Sequence, residues 1–283
     1  MKPEPASPGS DEHLAPGHVR LRVTVAFDGT NYFGWQWQPA DISVQQKVEE
    51  ALARLFPSKP RVNGCSRTDT GVHAQALVAH FDVPKAEFRM LPRKLILAVN
   101  AYLPDDIRII AAARAKPDFH ARFSARGKQY RYFVWNHSAH SPLLRHQSWQ
   151  VARPLDLAAM RAAAAQLVGR HDFLAFSATP GYERRHTVRH VRRCEVKRSG
   201  PLITVILEAD GFLYKMCRGI VGTLVQVGLG RFRADQVLPM LASRDRCLAG
   251  MTAPAQGLVL WKVFYGGPAR DPRTPPEAEE LNG

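Results

Sequence analysis

Val19-Arg20-Leu21-Arg22-Val23-Thr24-Val25-Ala26-Phe27 sets the fold class. Val19, Leu21, Val23 and Val25 point one way, and Arg20, Arg22 and Thr24 the other. A period of two is that of a strand with one face buried and one wet. Asp28-Gly29 ends it. Ser43-Val44-Gln45-Gln46 then has the S-x-x-Q spacing of a capping box, and Val44, Val48, Leu52 and Leu55 recur near 3.6 until Phe56-Pro57, so a helix follows. Leu77 to Val83 reads as a strand, Arg93–Tyr102 as a short helix behind Pro92, and Asp106 to Ala111 as a strand.

The second half repeats this alternation. Gln129 to Trp135 reads as a strand. Asp156 caps an Ala-rich helix over Leu157 to Val168, with Gly169 placed to end it. Val188 to Val196 and Leu202 to Glu208 are strands joined by Ser199-Gly200-Pro201. Phe212 to Val227 reads as a helix, and Leu258 to Phe264 as a last strand. Mixed elements in both halves predict two α+β domains, 19–115 and 116–265. Residues 1–18 and 266–283 are rich in Pro, Gly and charge without hydrophobic periodicity, and read as disordered tails.

The chain has 283 residues and a formal charge of +14. A hydrophobic share of 45% excludes a wholly disordered chain. Both tails are acidic, so residues 19–265 carry 36 bases against 18 acids. A body this basic fits a polyanionic partner, because Lys and Arg displace condensed counterions from phosphates. A solubility surplus or an Arg-biased genome would read the same way. Cys65, Cys194, Cys217 and Cys247 form no C-x-x-C pair and have no His at ligand spacing, so no metal site is expected. Their wide spacing fits reduced thiols in the cytosol. The first residues lack an apolar signal core, and the longest apolar run, Ile220 to Leu229, is too short to span a bilayer. A cytoplasmic protein without membrane contact is expected.

The most informative loop is Gly64-Cys65-Ser66-Arg67-Thr68-Asp69-Thr70-Gly71-Val72-His73-Ala74. It puts an acid beside a base on a glycine-punctuated connection, where a rigid scaffold commonly holds reactive groups. From composition alone, an Asx-turn in which Asp69 bonds a local amide is the plainer reading.

R-T-D-x-G-V-H-A in this loop resembles the signature of the tRNA pseudouridine synthase A (TruA) family. Phe27-Asp28-Gly29-Thr30 with Phe33-Gly34-Trp35-Gln36-x-Gln38 is similar to the family's opening motif. Phe119-His120-Ala121-Arg122-Phe123-Ser124-Ala125 followed by Tyr130-Arg131-Tyr132 is similar to its middle one. His171-Asp172-Phe173 and Phe212-Leu213-x-x-Met216-x-Arg218-x-Ile220-Val221-Gly222 are similar to two later ones. Each motif alone is weak. Five in the right order, over residues 19–265, argue against chance. Ser66, Phe27 and Gly127-Lys128-Gln129 depart from the family's usual Gly, Tyr and Arg-rich step.

The resemblance implies a fold of two pseudo-symmetric mixed α/β domains, with largely antiparallel sheets meeting at a basic active-site cleft. It implies isomerisation of uridine to pseudouridine at positions 38, 39 and 40 of the tRNA anticodon stem-loop, by a homodimer. Asp69 would be the nucleophile, Arg218 its cationic partner, and Tyr130 the ring that stacks on the target base. Arg67 is a second partner, a nucleotide anchor or a structural ion pair. The isomerisation neither gains nor loses electrons or groups, so no cofactor is expected. A carboxylate enclosed with a flipped base needs a neighbouring cation to stay charged, and a guanidinium supplies a permanent one. Base–aromatic stacking contributes about 1–3 kcal/mol, comparable to the cost of extruding a nucleotide.

His73 and His120 could serve as acid–base groups, but loop histidines more often satisfy local bonds. His171-Asp172-Phe173 reads as packing or an RNA backbone contact. Arg184, Arg185, Arg189, Arg192 and Arg193 form the densest basic run, read as part of an RNA track or as a charged strand edge. A synthase for another tRNA position or RNA, and a catalytically silent RNA binder, are the competing functions.

Overall fold

The computed structural model describes residues 13–178 and 186–266. Arg184, Arg185 and most of both expected tails lie outside the described residues. The elements, in chain order, are β1 (His18–Phe27), α1 (Val44–Ala53), β2 (Asn63–Gly64), β3 (His73–Pro84), α2 (Pro92–Asn100), β4 (Ile107–Arg114), β5 (Ala125–Trp135), β6 (Trp149–Gln150), α3 (Leu157–Gln166), β7 (Gly169–Asp172), β8 (Val188–Ser199), β9 (Leu202–Ala209), α4 (Met216–Gly228), α5 (Val237–Ser243) and β10 (Leu258–Tyr265). No helix among the described residues is long and apolar enough to cross a membrane.

One mixed sheet of ten strands runs β4-β1-β3-β10-β5-β9-β8-β7, with β2 on β3 and β6 on β5. Every pairing is antiparallel except β3–β10 and β5–β6. The boundary expected near residue 115 falls between β4 and β5, yet the sheet is continuous across it. The join is short: β3 meets β10 through Val259 opposite His73 and Leu260 opposite Ala74. Leu260 also faces Tyr130, and Tyr130 faces Leu207. Ala74, Leu260, Tyr130 and Leu207 therefore form one row across both halves of the chain.

The helix starts follow their caps. Ser43 accepts from the Gln46 amide at 3.2 Å, and Asp156 from the Ala159 amide at 3.0 Å. Leu21, Val23, Val25 and Phe27 of β1 are buried together with Val44, Val48 and Leu52 of α1 and Leu95 and Val99 of α2. On the opposite face of β1 Arg22 is exposed as expected, but Arg20 is not. Arg20 is only 2% exposed. It forms a two-point ion pair with Asp82 at 2.8 and 2.7 Å and donates to the carbonyls of Pro117 and Phe119. A guanidinium tolerates burial when its fork is filled in this way.

Helix α4 begins at Met216, not at the expected Phe212. Lys215 adopts a left-handed conformation, φ 59°, which breaks the helical path before it. The helix is sunk into the core. A Cβ on Gly222 would overlap the Met251 carbonyl, and one on Gly219 the Phe176 carbonyl. These two glycines, just after Arg218, let α4 approach that backbone closely. Sequence periodicity also missed α5, which is short and carries Pro239, and the four-residue β7.

Candidate active site

The Asp69 loop leaves β2 and enters β3 at the seam of the sheet. Backbone bonds hold it at both ends: Cys65 donates to Val78 at 2.8 Å, Gly71 to Tyr32 at 3.2 Å and Val72 to the Asp69 carbonyl at 3.1 Å. Gly34, at φ 83°, passes so close that a Cβ there would strike the Thr68 carbonyl. The Asp69 side chain makes no bond to a local amide among the described residues, so the Asx-turn alternative is excluded. Its Oδ2 instead accepts from Arg218 Nη1 at 2.9 Å. Arg218 is fixed from behind, because its Nε donates to the Ala253 carbonyl at 2.7 Å and its own carbonyl accepts from the Ala253 amide at 3.0 Å. The acid is 19% exposed and the base 14%. The first residues of α4 also line the same space, and the positive end of a helix favours an anion there.

The pair opens into a cleft of about 1200 Å³. Five lining residues are Lys or Arg, namely Arg67, Arg122, Lys128, Lys215 and Arg218, and Asp69 is the one carboxylate. A cavity of this charge receives polyanions and repels acids. Arg67 is exposed and pairs with no carboxylate among the described residues, so the structural ion pair considered for it is absent.

Tyr130 stands in the wall, 6% exposed. Its hydroxyl is 3.4 Å from Ser66 Oγ, and Phe212 meets its ring edge-on at 5.2 Å between centroids. Burial pushes its phenol well above the ordinary tyrosine value, so it stays neutral. Little of the residue is exposed in this structure. Tyr132 is wholly buried and donates to the Pro254 carbonyl at 2.8 Å, as a core residue does.

The histidines make local bonds. His73 is 3% exposed; its Nδ1 lies 3.0 Å from both the Gly29 amide and the Asp28 carboxylate, and its Nε2 3.0 Å from the Gln256 carbonyl. His120 lines the cleft, but its Nδ1 accepts from the amides of Arg122 and Phe123. Asp28 caps its own turn through Thr30. Phe173 is fully buried, and Asp172 pairs with Arg244 at 3.3 Å.

The basic run divides. Arg189, two residues before the buried Val191 on β8, does not line the cleft, and its Nη1 donates to the carbonyls of His186 and Val188. A bulge between Val191 and Arg193 reverses the alternation there. Arg193 therefore stands opposite Glu208 on the far face of the sheet and bonds Glu195 at 2.7 Å. Arg192 donates to the Arg126 carbonyl at 2.9 Å, with its other terminal nitrogen buried and unbonded. The structure does not bring Arg193 to the cleft.

Sequence reasoning gave no role to Lys128, and placed Phe212 in a helix rather than beside the site. Lys128 was findable, since two residues before Tyr130 on a strand is the same face.

A family model described as tRNA pseudouridine synthase matches residues 23–124 and 163–266. The tRNA pseudouridine synthase A of Myxococcus xanthus is 46% identical over 268 residues, covering 93% of this chain and 99% of that protein. Those of Thermoanaerobacter sp. (strain X514) and Pelobacter propionicus are 42% and 45% identical, each covering 87% of this chain and 99% of their own length. Matched along nearly its whole folded length, the chain belongs to the tRNA pseudouridine synthase family.

Proposed function

We propose that the chain is an isomerase that converts uridine to pseudouridine at positions 38, 39 and 40 of the tRNA anticodon stem-loop, with Asp69 as the nucleophile. The observation that carries this reading is the Asp69–Arg218 ion pair, 2.9 Å long, as the only carboxylate contact in a cleft lined by four further cations. The reaction breaks N1–C1′, turns the uracil and joins C5 to C1′; the C5 proton leaves and N1 ends protonated. An ionised carboxylate can add to the ring, bond to C1′ or take the C2′ proton. In each case Arg218 sets a positive charge beside Asp69 and holds its rotamer, while the cleft wall at Tyr130 shields the base from water. Arg67, exposed at the mouth, anchors the extruded nucleotide.

The tRNA names of the relatives, the basic lining and the absence of a membrane-crossing helix among the described residues support a cytoplasmic enzyme on tRNA. We assign the two halves, 19–115 and 116–265, as domains flanking the seam, and the working form as a homodimer with RNA across both copies.

Tritium release from tRNA labelled at uridine C5 tests the chemistry. Wild type should release label, and Asp69→Ala should bind tRNA without release. Release by Asp69→Ala would remove the nucleophile, and binding without release by wild type would leave a silent RNA binder. Pseudouridine mapped outside 38–40 in a strain dependent on this enzyme would overturn the assigned positions.

A further inference from the structure

Lys128, less exposed than Arg67, is a cleft cation with no hydrogen-bonding partner among the described residues. It lies on β5 two residues before Tyr130, so both side chains leave the same face of the strand. It is half-buried in the wall of the cleft. No carboxylate, carbonyl or hydroxyl bonds it among the described residues. Asp69, the one acid lining the cleft, is occupied by Arg218. The neighbouring Cys65 thiol is fully buried and held protonated by that burial, so it gives no countercharge. Arg122 lines the same cleft, its guanidinium 5.4 Å from the exposed Phe123 ring; Arg189 lies outside the lining, its Nη1 donating to the His186 and Val188 carbonyls, but is close enough to repel the Lys128 charge. Burial and the repulsion of these two arginines pull the Lys128 ammonium below the ordinary lysine range.

Two guanidiniums held beside a half-desolvated ammonium are unfavourable in the free protein. The arrangement is relieved when an anion enters. The uracil ring carries at most a transient single charge, which would not need three cations. A phosphate is a permanent anion with several acceptor oxygens. Along the strand, Lys128 and Tyr130 are about 6.7 Å apart, the scale of one nucleotide.

We propose that Lys128, flanked by Arg122 and Arg189, binds a backbone phosphate next to the extruded uridine and so fixes that nucleotide at Asp69. This rests on the RNA substrate proposed above and adds a binding residue to the same site. Lys128 acts on position, not on bond breaking.

The test uses full-length wild type, Lys128→Met and Lys128→Arg with an anticodon stem-loop RNA containing one target uridine. In one arm, affinity is measured across a salt series. Lys128→Met should bind about tenfold more weakly at low salt, and the slope of log K against log salt should fall by about 0.7, one single-strand phosphate contact. Lys128→Arg should keep the slope. In the second arm, the phosphate on either side of the uridine is replaced in turn by a neutral methylphosphonate. One of these replacements should weaken wild type and leave Lys128→Met no weaker than it already is. Lys128→Gln repeats the charge removal if the methionine variant fails to fold. An unchanged salt slope, or equal losses from methylphosphonate in wild type and variant, overturns the proposal. So does a variant that binds normally but slows single-turnover release, since that would place the lysine on the base. Absence of tritium release from wild type would defeat the catalytic reading separately, because both binding arms still report on Lys128.

Discussion

Replacing Arg218 by leucine removes two bonds at once: Nη1 to Asp69 at 2.9 Å, and Nε to the Ala253 carbonyl at 2.7 Å. Leucine suits α4, whose neighbouring Met216 and Ile220 are fully buried, so the helix should survive. Opposite charges about 4 Å apart attract by about 4 kcal/mol at an effective dielectric near 20, and by about 1 kcal/mol in bulk water. With the two side chains 14% and 19% exposed, the pair sits between those limits. We take about 2–3 kcal/mol as its worth, after screening at the cleft opening. If this energy holds the carboxylate in place for reaction, its loss slows the chemical step by about 30- to 150-fold, at about 1.36 kcal/mol per decade. Tritium release with enzyme in excess over tRNA reads that step, and filter binding reads affinity separately. The expected result is slowed release with tRNA affinity within about threefold, because Arg218 faces a carboxylate rather than solvent. Arg218→Lys keeps a cation but cannot make both bonds, and should fall between. An equal fall in rate and affinity would make Arg218 a phosphate contact, and an unchanged rate would refute the pairing argument altogether.

Tyr130→Phe should cost less than about threefold in release, since the hydroxyl has only a 3.4 Å contact to Ser66, whereas Tyr130→Ala should lose the roughly 1–3 kcal/mol of a stacked base in kcat/KM. Arg20→Met leaves Asp82 without its guanidinium and should lower stability by about 3–5 kcal/mol, seen as a fall in denaturation midpoint at unchanged m-value. Burial, then the charges of His120 and Arg20, push His80 down from 6.5 to about 4. The folded form thus keeps this ring neutral: its contribution is complete above pH 6.5 and is lost as pH falls towards 4, by at most about 3 kcal/mol. Urea unfolding across that window should lose most of its slope in His80→Gln, and an unchanged slope would show the ring to be solvated.

Local pattern and long-range pairing contributed differently. The cores of β1, β5, β8, β9 and α1 were legible because their apolar periods are set by neighbours a few residues away. Their positions in the sheet were not, since β10 is inserted between β3 and β5 by contacts far apart in sequence. Arg20 shows the limit within one strand. Its alternation places it opposite Val19 and Leu21, correctly, but whether Arg20 itself is wet depends on Asp82 across the ladder and on the Pro117 and Phe119 carbonyls. The Asp69–Arg218 pair spans 149 residues, and only the family resemblance joined its members beforehand. The basic run is a further case. A stretch of arginines on a strand is not one patch, because successive side chains leave opposite faces. Without a bulge, Arg189, Val191 and Arg193 would share a face and the run would have put two arginines on one side of the sheet. The extra residue at the bulge sends Arg193 to Glu195 and Glu208 instead. Lys128 on β5, which no charge run marked, stands in the cleft wall because nothing interrupts the alternation between it and Tyr130. Charge density in the sequence therefore overstated one part of the cleft and missed another, for the same reason: strand faces, not strand composition, decide which cations an incoming RNA meets.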